Sequence, residues 1–394
     1  MHSDPHLSAD AAARSTRPAM VHVATYVTDE VFTFLGPATE SMAARGRPQL
    51  VIAFDEPATR AVLARFGPNV ELCRVSVHGS AVARWMRLRA ALKVVLRERP
   101  QVAALHLHGF VSSALGMSAR RGLGTCVPVY FSPHSSRVLG RLRVLARPAM
   151  ALIGALGRGE RPRPIANLGT DFSRLETITH AEVSLVESPV AACYFELPRA
   201  ESKAPTIVAG SQMTPVDDEA LDTFVRFVVL LRDTDAAPRF VWLGNASPEQ
   251  RVRLKAANVR IIEPDDEAGR LRLLSMAWIY MAPAEGRGVP FGLAQAMAAG
   301  LACMAADTPF HRDVVEHLRT GVIYHTAAEA LALIAQLLDS PDLRARLGAA
   351  ARIEARRRFD AAGFAQRLDL AYRQPAAPSH STARERQRGS VVNG

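Results

Sequence analysis

From Val21 onward, short apolar runs alternate with amphipathic stretches, and the same alternation begins again past the middle of the chain. Such a pattern reads as parallel strands joined by helices. VHVATYV reads as a strand, Glu30 to Arg45 as a helix stopped by Gly46, and QLVIAF as the next strand. The series continues through VELCRVSV, a basic helix Ala81 to Glu98, the strand VAALHLH, the small-residue helix SSALGMSARRG, the strand VPVYFS and the strand AEVSLVES. Leu197 to Pro205, LPRAESKAP, is polar and proline-flanked and marks a linker. TIVAG, a helix Glu219 to Arg232, RFVWLG, a helix Pro248 to Ala257, VRIIEP and WIYMAP then repeat the plan. The reading is α/β, with two Rossmann-like domains whose parallel sheets face a central cleft at the strands' carboxyl ends.

Composition narrows the class. At 394 residues, with 48% apolar and 22% charged residues, the chain holds two cores and is not disordered for most of its length. The formal charge is +10, yet Lys93, Lys203 and Lys255 are its three lysines, and no segment joins a sustained basic stripe to interleaved aromatics, so no nucleic-acid partner is expected. Cys73, Cys126, Cys193 and Cys303 form no Cys-x-x-Cys pair, which argues against a zinc site and suits a reducing cytoplasm. Residues 1–18 lack an apolar core and read as a disordered leader. The longest apolar run, Ala149 to Gly157, falls well short of the roughly twenty residues a membrane span needs, so a soluble or peripheral protein is expected.

Motifs set the functional expectation. Ile279 to Asp313, IYMAPAEGRGVPFGLAQAMAAGLACMAADTPFHRD, joins a strand, a Gly/Pro turn and an alanine-rich helix. HLHGFVSSALG, PVYFSPHSS, FVWLG, HRDVV and SPDLRARLGAAAR follow in the order that one family shows. Together they resemble glycosyltransferase family 4, the retaining enzymes of GT-B fold, including members that build bacterial surface polysaccharides. The resemblance covers Val21 to Arg373. It implies residues 19–200 as an acceptor-side domain, 201–360 as a nucleotide-sugar domain and 361–374 as a helix crossing back to the first domain; 375–394, rich in Pro, Ser and Arg, reads as a disordered tail.

Several positions depart from that family's pattern. Thr28, Asp29 and Glu30 stand where a Gly-Gly turn is usual; Ser211 replaces an arginine, and Asp217 aligns with a lysine. Charge-assisted hydrogen bonds contribute about 1.5 to 3 kcal/mol each, so losing both cations weakens a diphosphate's binding by about two to four powers of ten unless another arginine compensates. In an ungapped alignment Arg287 and Gln295 occupy the places of two glutamates. A gapped alternative makes Glu285 the functional glutamate. An arginine only donates, so the ungapped reading points to an acidic donor sugar, whose carboxylate pairs with Arg287.

By the resemblance, His134 and Arg287 are the catalytic candidates, His134 touching the transferred sugar; the plainer reading of His134 is a turn histidine bonded to backbone. The donor-binding candidates are Gly210, Ser211, Glu285, Gly288, Val289, Pro290, Gln295 and Arg312. The turn Gly288-Val289-Pro290 opens a helix whose N-terminus suits a phosphate; alternatively it only shapes the bend. His106 and His108 share one face of a strand but lack a third ligand at sensible spacing, so no metal is expected. Asp233 and Asp235 read as a surface turn, and Arg312-Asp313 either matches the family's Asn-Arg-Asp or forms a helix-start ion pair.

Arg137 to Arg163 carries seven arginines and one glutamate around Leu142, Leu145, Ala149, Leu152 and Leu156, interrupted by Pro148. This is either a surface for an anionic inner leaflet or a core-facing helix with a solvated side.

Two functions stay open. One is transfer of a sugar from a nucleotide diphosphate sugar to a lipid-linked or oligosaccharide acceptor, without a cofactor, in exopolysaccharide, capsule or lipopolysaccharide synthesis. The other is a degenerate scaffold that binds glycan or a partner transferase.

Overall fold

The computed structural model describes residues 19–99, 101–121, 127–134, 143–157, 161–179, 181–211, 218–232, 237–244, 246–263, 266–283 and 290–373. Two parallel sheets organise them. The first contains β1 (Ala19–Ala24), β2 (Gln49–Phe54), β3 (Val70–Val75), β4 (Val102–His108), β5 (Val129–Ser132), β6 (Arg163–Ala166) and β7 (Ser184–Leu185), ordered β3-β2-β1-β4-β5-β6-β7. The second contains β8 (Thr206–Ser211), β9 (Arg239–Gly244), β10 (Arg260–Ile262), β11 (Ile279–Ala282), β12 (Ala302–Ala306) and β13 (Val322–Tyr324), ordered β10-β9-β8-β11-β12-β13. Strand order reverses between β1 and β4 and again between β8 and β11, which leaves a crevice at each switch point.

Helices cover both faces of each sheet, which is why the central strands read as unbroken apolar runs. In β1, Val21 and Val23 enter one core, while Met20 on the other face packs with Phe34, Met42 and Tyr130. In β8, Val208 and the pair Ile207 and Ala209 likewise divide between two cores. Val190, Tyr194 and Phe195 join the second lobe's core.

The C-terminal helix, Ala361–Arg373, lies on the first lobe. Its Phe364, Leu368 and Ala371 are buried beside Phe34 and Met42 of the helix Asp29–Ala44, and Arg45 donates to the Ala365 carbonyl at 2.9 Å. The lobes are joined again where the helix Pro309–Val314, after β12, meets the helix Gly169–Thr179, after β6. Both helices follow strand carboxyl ends, so those edges of the two sheets meet.

Three local expectations are corrected. VHVATYV forms a strand only to Ala24, because Thr28 caps the next helix by accepting from the Val31 N–H. AEVSLVES contributes two strand residues, Ser184 and Leu185, at the sheet edge. Pro148 does not interrupt the helix Arg143–Leu156; it stands in the second turn, where it removes a single backbone donor. That helix buries Ala146, Met150 and Ile153, while Leu152, expected on the apolar face, is 58% exposed.

Candidate functional site

At the first lobe's switch point, the register of the sheet brings together side chains distant in sequence. His22 of β1 lies beside His106 of β4, which lies beside Tyr130 of β5, and His108 pairs with Ser132 one step further along. Residues in register in a parallel sheet share a face, so His22, His106 and His108 converge under the helices Asp29–Ala44 and Ala361–Arg373. His134 follows β5 with a backbone φ of 49°, a left-handed conformation that costs a non-glycine residue about 1 kcal/mol or more.

The four rings form a connected group. His134 Nε2 lies 2.7 Å from His108 Nδ1, His108 Nε2 lies 3.1 Å from His22 Nδ1, and His22 Nε2 lies 3.0 Å from Gln49 Oε1. His106 bridges Ser132 Oγ at 3.0 Å and Tyr372 Oη at 2.8 Å, which ties the C-terminal helix to the site. Phe34 closes the group edge-on against His106 and His134. Burial disfavours the charged form of every member: His22 falls to about 4 and His134 to about 3, and His106 and His108 lie well below the usual histidine value. At neutral pH all four rings are neutral.

His22, His106 and His108 are also close enough to share an ion, with ligand atoms within 4.8 Å of one another. Sequence reasoning lacked this third histidine; its signal was a lone histidine in the apolar run AMVHVA. Each of the six ring nitrogens of these three residues already has a hydrogen-bond partner, so a metal would have to displace bonds from a site that is fully satisfied.

The turn after β1 is fastened: the Thr25 N–H donates to Ser112 Oγ at 2.9 Å. Asp29 pairs with Arg65 at 2.6 Å, which neutralises one of the carboxylates expected to confront an anion.

In the second lobe Gly210 has φ of 94°, and a Cβ there would stand 2.4 Å from the Leu243 carbonyl oxygen; its own carbonyl accepts from Tyr280 at 2.7 Å. Glycine is needed for that close approach between β8 and β9. Ser211 ends β8 opposite Gly244. Pro290 caps the helix Phe291–Ala298, on which Gln295 is buried, and no described residue bonds the Gln295 side chain. Arg312 pairs with Asp307 at 3.0 Å and is 60% exposed. Arg287, Glu285, Gly288, Val289, Asp217, Asp233 and Asp235 lie outside the described residues.

Asp313 turns away from Arg312. Its Oδ2 accepts the Gly169 N–H at 2.9 Å, and Arg358, itself held by Glu187 of the first lobe, donates to its backbone carbonyl. Asp307, Arg312, Asp313, His325, Glu354 and Arg358 line a charged cavity of about 510 Å³ near these strand ends. A larger groove, about 660 Å³, involves Thr206, Arg239 and Arg260, at the opposite ends of β8, β9 and β10, far from the switch points where α/β sheets bind ligands.

Residues 204–340 match the family model of glycosyl transferases group 1. A glycosyltransferase from Rickettsia africae ESF-5 superposes with a TM-score of 0.70 at 13% identity, over 91% of this chain and 98% of the other. Sucrose-phosphate synthase from Thermosynechococcus elongatus gives 0.72 at 14%, over 91% and 99%. HepE from Anabaena, in complex with UDP, gives 0.68 at 12%, over 89% and 98%. The chain has the GT-B fold. The family match and these neighbours of the same fold support a glycosyltransferase. No curated protein matches the chain in sequence.

Proposed function

We propose that this GT-B protein is a retaining, metal-independent glycosyltransferase that moves a sugar from a nucleotide diphosphate sugar to a lipid-linked or oligosaccharide acceptor in bacterial exopolysaccharide, capsule or lipopolysaccharide synthesis. The observation that carries the reading is His134: half-buried at a switch point, held in a strained backbone conformation, on the edge of the first lobe that meets the second. HepE, a structural neighbour, has been crystallised with UDP-glucose, which supports a nucleotide sugar as the donor class.

In this reading the bond from the sugar's reacting carbon to the diphosphate breaks with its electron pair on the phosphate oxygen, the acceptor's hydroxyl oxygen forms the new bond to that carbon from the same face, and the hydroxyl's proton passes to the departing diphosphate. The N-terminus of the helix Phe291–Ala298 is aimed at that charge by its backbone dipole. The Gln295 amide takes a hydroxyl of the nucleotide, and His134 faces the sugar. Arg287 pairs with a carboxylate on an acidic donor; an Arg287→Glu protein with unchanged preference between acidic and neutral donors would remove that part of the proposal.

A second reading, a degenerate GT-B scaffold for a glycan or a partner transferase, is favoured by the pairing of Arg312 with Asp307 and by Ser211 at the arginine position. Calorimetry with a panel of UDP- and GDP-sugars separates the two. Micromolar binding of one donor supports transfer, and silence across the panel supports the scaffold.

No described helix is long and apolar enough to cross a membrane. Contact with an anionic inner leaflet is proposed through the outer side of Arg143–Leu156, where Arg147 and Leu152 are exposed. Flotation with anionic liposomes and none with neutral ones is the expected result; equal behaviour with both contradicts it.

A further inference from the structure

Gln49 is the residue in the histidine group whose orientation is decided independently of the rings. Its Nε2 donates to the Arg47 carbonyl at 2.9 Å and to the Pro48 carbonyl at 3.2 Å. Turning the amide over would set Oε1 against two carbonyl oxygens, so Oε1 faces His22. An acceptor there requires a proton on His22 Nε2, which leaves His22 Nδ1 a lone pair. The 3.1 Å contact then requires a proton on His108 Nε2, and His108 Nδ1 becomes the acceptor for His134 Nε2–H at 2.7 Å. The direction of every bond follows from one amide.

His106 stays out of this chain. Ser132 donates to the Ile165 carbonyl at 3.1 Å, so it accepts from His106 Nε2–H, and His106 Nδ1 accepts from the Tyr372 hydroxyl. Tilted by 33° against His108 at 4.1 Å between ring centroids, it walls the relay off on one side.

We propose that Gln49, His22 and His108 are positioning residues: a one-way relay that locks His134 as the Nε2–H tautomer and leaves its Nδ1 lone pair as a hydrogen-bond acceptor for a sugar hydroxyl. No described residue bonds His134 Nδ1. An imidazole free to rotate would offer a donor or an acceptor in turn; the relay removes that choice, and with it the cost of orienting the ring when substrate arrives. Burial keeps the four rings neutral across the physiological range, so the relay orients His134 without charging it. The identity of the hydroxyl as a sugar's rests on the transferase reading; the locked ring does not.

The test is nuclear magnetic resonance of the full-length protein labelled with 15N in histidine, without substrate. Scalar couplings across the hydrogen bonds are expected from His134 Nε2 to His108 Nδ1 and from His108 Nε2 to His22 Nδ1, with His134 Nδ1 unprotonated. A proton on His134 Nδ1, or missing couplings in a folded protein, overturns the relay, and the wild-type spectrum alone decides this. Gln49→Leu, which removes the anchoring acceptor, is expected to abolish the His134 coupling. A coupling unmoved by Gln49→Leu overturns Gln49 as the anchor. With a donor that turns over, Gln49→Leu is expected to lower kcat about tenfold while donor Kd changes less than about twofold. Intact couplings with no nucleotide-sugar binding leave the relay standing and sink the transferase reading; binding with absent couplings does the reverse.

Discussion

Asp313 accepts the backbone N–H of Gly169 at 2.9 Å, and through that bond the helix after β12 is tied to the start of the helix after β6. The fit is close: a Cβ at position 169 would lie 2.2 Å from Asp313 Oδ1. Arg358, bound to Glu187 and to the Asp313 carbonyl, reinforces the junction. Removing the carboxylate leaves the Gly169 donor without its partner, so Asp313→Ala is expected to lower stability by about 1.5 to 3 kcal/mol. Denaturant unfolding of wild type and variant measures it; an unchanged midpoint contradicts the tether.

Asp171, in the same junction, is raised to about 6 by burial, against the help of Arg174. The folded protein therefore binds this proton more tightly than the unfolded chain between about pH 4 and pH 6, and its contribution to stability falls as pH rises through that window, by ~3 kcal/mol. Asp171→Asn is expected to abolish this fall and to be more stable than wild type at pH 7. Unfolding curves at several pH values check it, and parallel pH profiles for the two proteins would rule it out.

The histidine group has the opposite sign. His22 is lowered to about 4 by burial, so the unfolded chain binds its proton first as pH drops below about 6.5. Stability present above that pH is lost on the way down to about 4, by ~3 kcal/mol for His22 alone. His22→Asn is expected to flatten the acid limb of the stability profile by about one proton. A limb of unaltered slope would show that His22 is charged in the folded protein.

Gly210 lies in β8 against Leu243 of β9, at a φ of 94°. Gly210→Ala adds both backbone strain and an overlap with the Leu243 carbonyl, and about 3 kcal/mol or more of destabilisation is expected. A variant that melts with the wild type would mean the strands move apart at no cost.

The two-lobed plan was legible because periodicity is local: Ala81–Glu98 forms the helix read from the sequence, and Ala361–Arg373 forms the terminal helix that the resemblance implied. His134 was found through its motif. Gln49 and His22 were missed, since what unites them with His108 and His134 is sheet register, and Gln49 is separated from His134 by two other strands of the fold order. Leu152 was misplaced on the apolar face of the helix Arg143–Leu156 for a related reason: Ala146, Met150 and Ile153 form the buried stripe and Leu156 packs against the same core, and only the packed sheet shows that Leu152 turns outward. The junction of Gly169 with Asp313 spans 144 residues of sequence and carried no local mark.

The central claim is that the edge of the first lobe bearing His134 is where a nucleotide sugar reacts. Release of nucleoside diphosphate from a pool of UDP- and GDP-sugars, with a membrane glycan extract as acceptor, is the most direct measurement, made on wild type and on a folded His134→Ala protein. Release by the wild type and a loss of about a hundredfold or more in the variant are predicted. No release by the wild type, or equal release by both, would contradict the account.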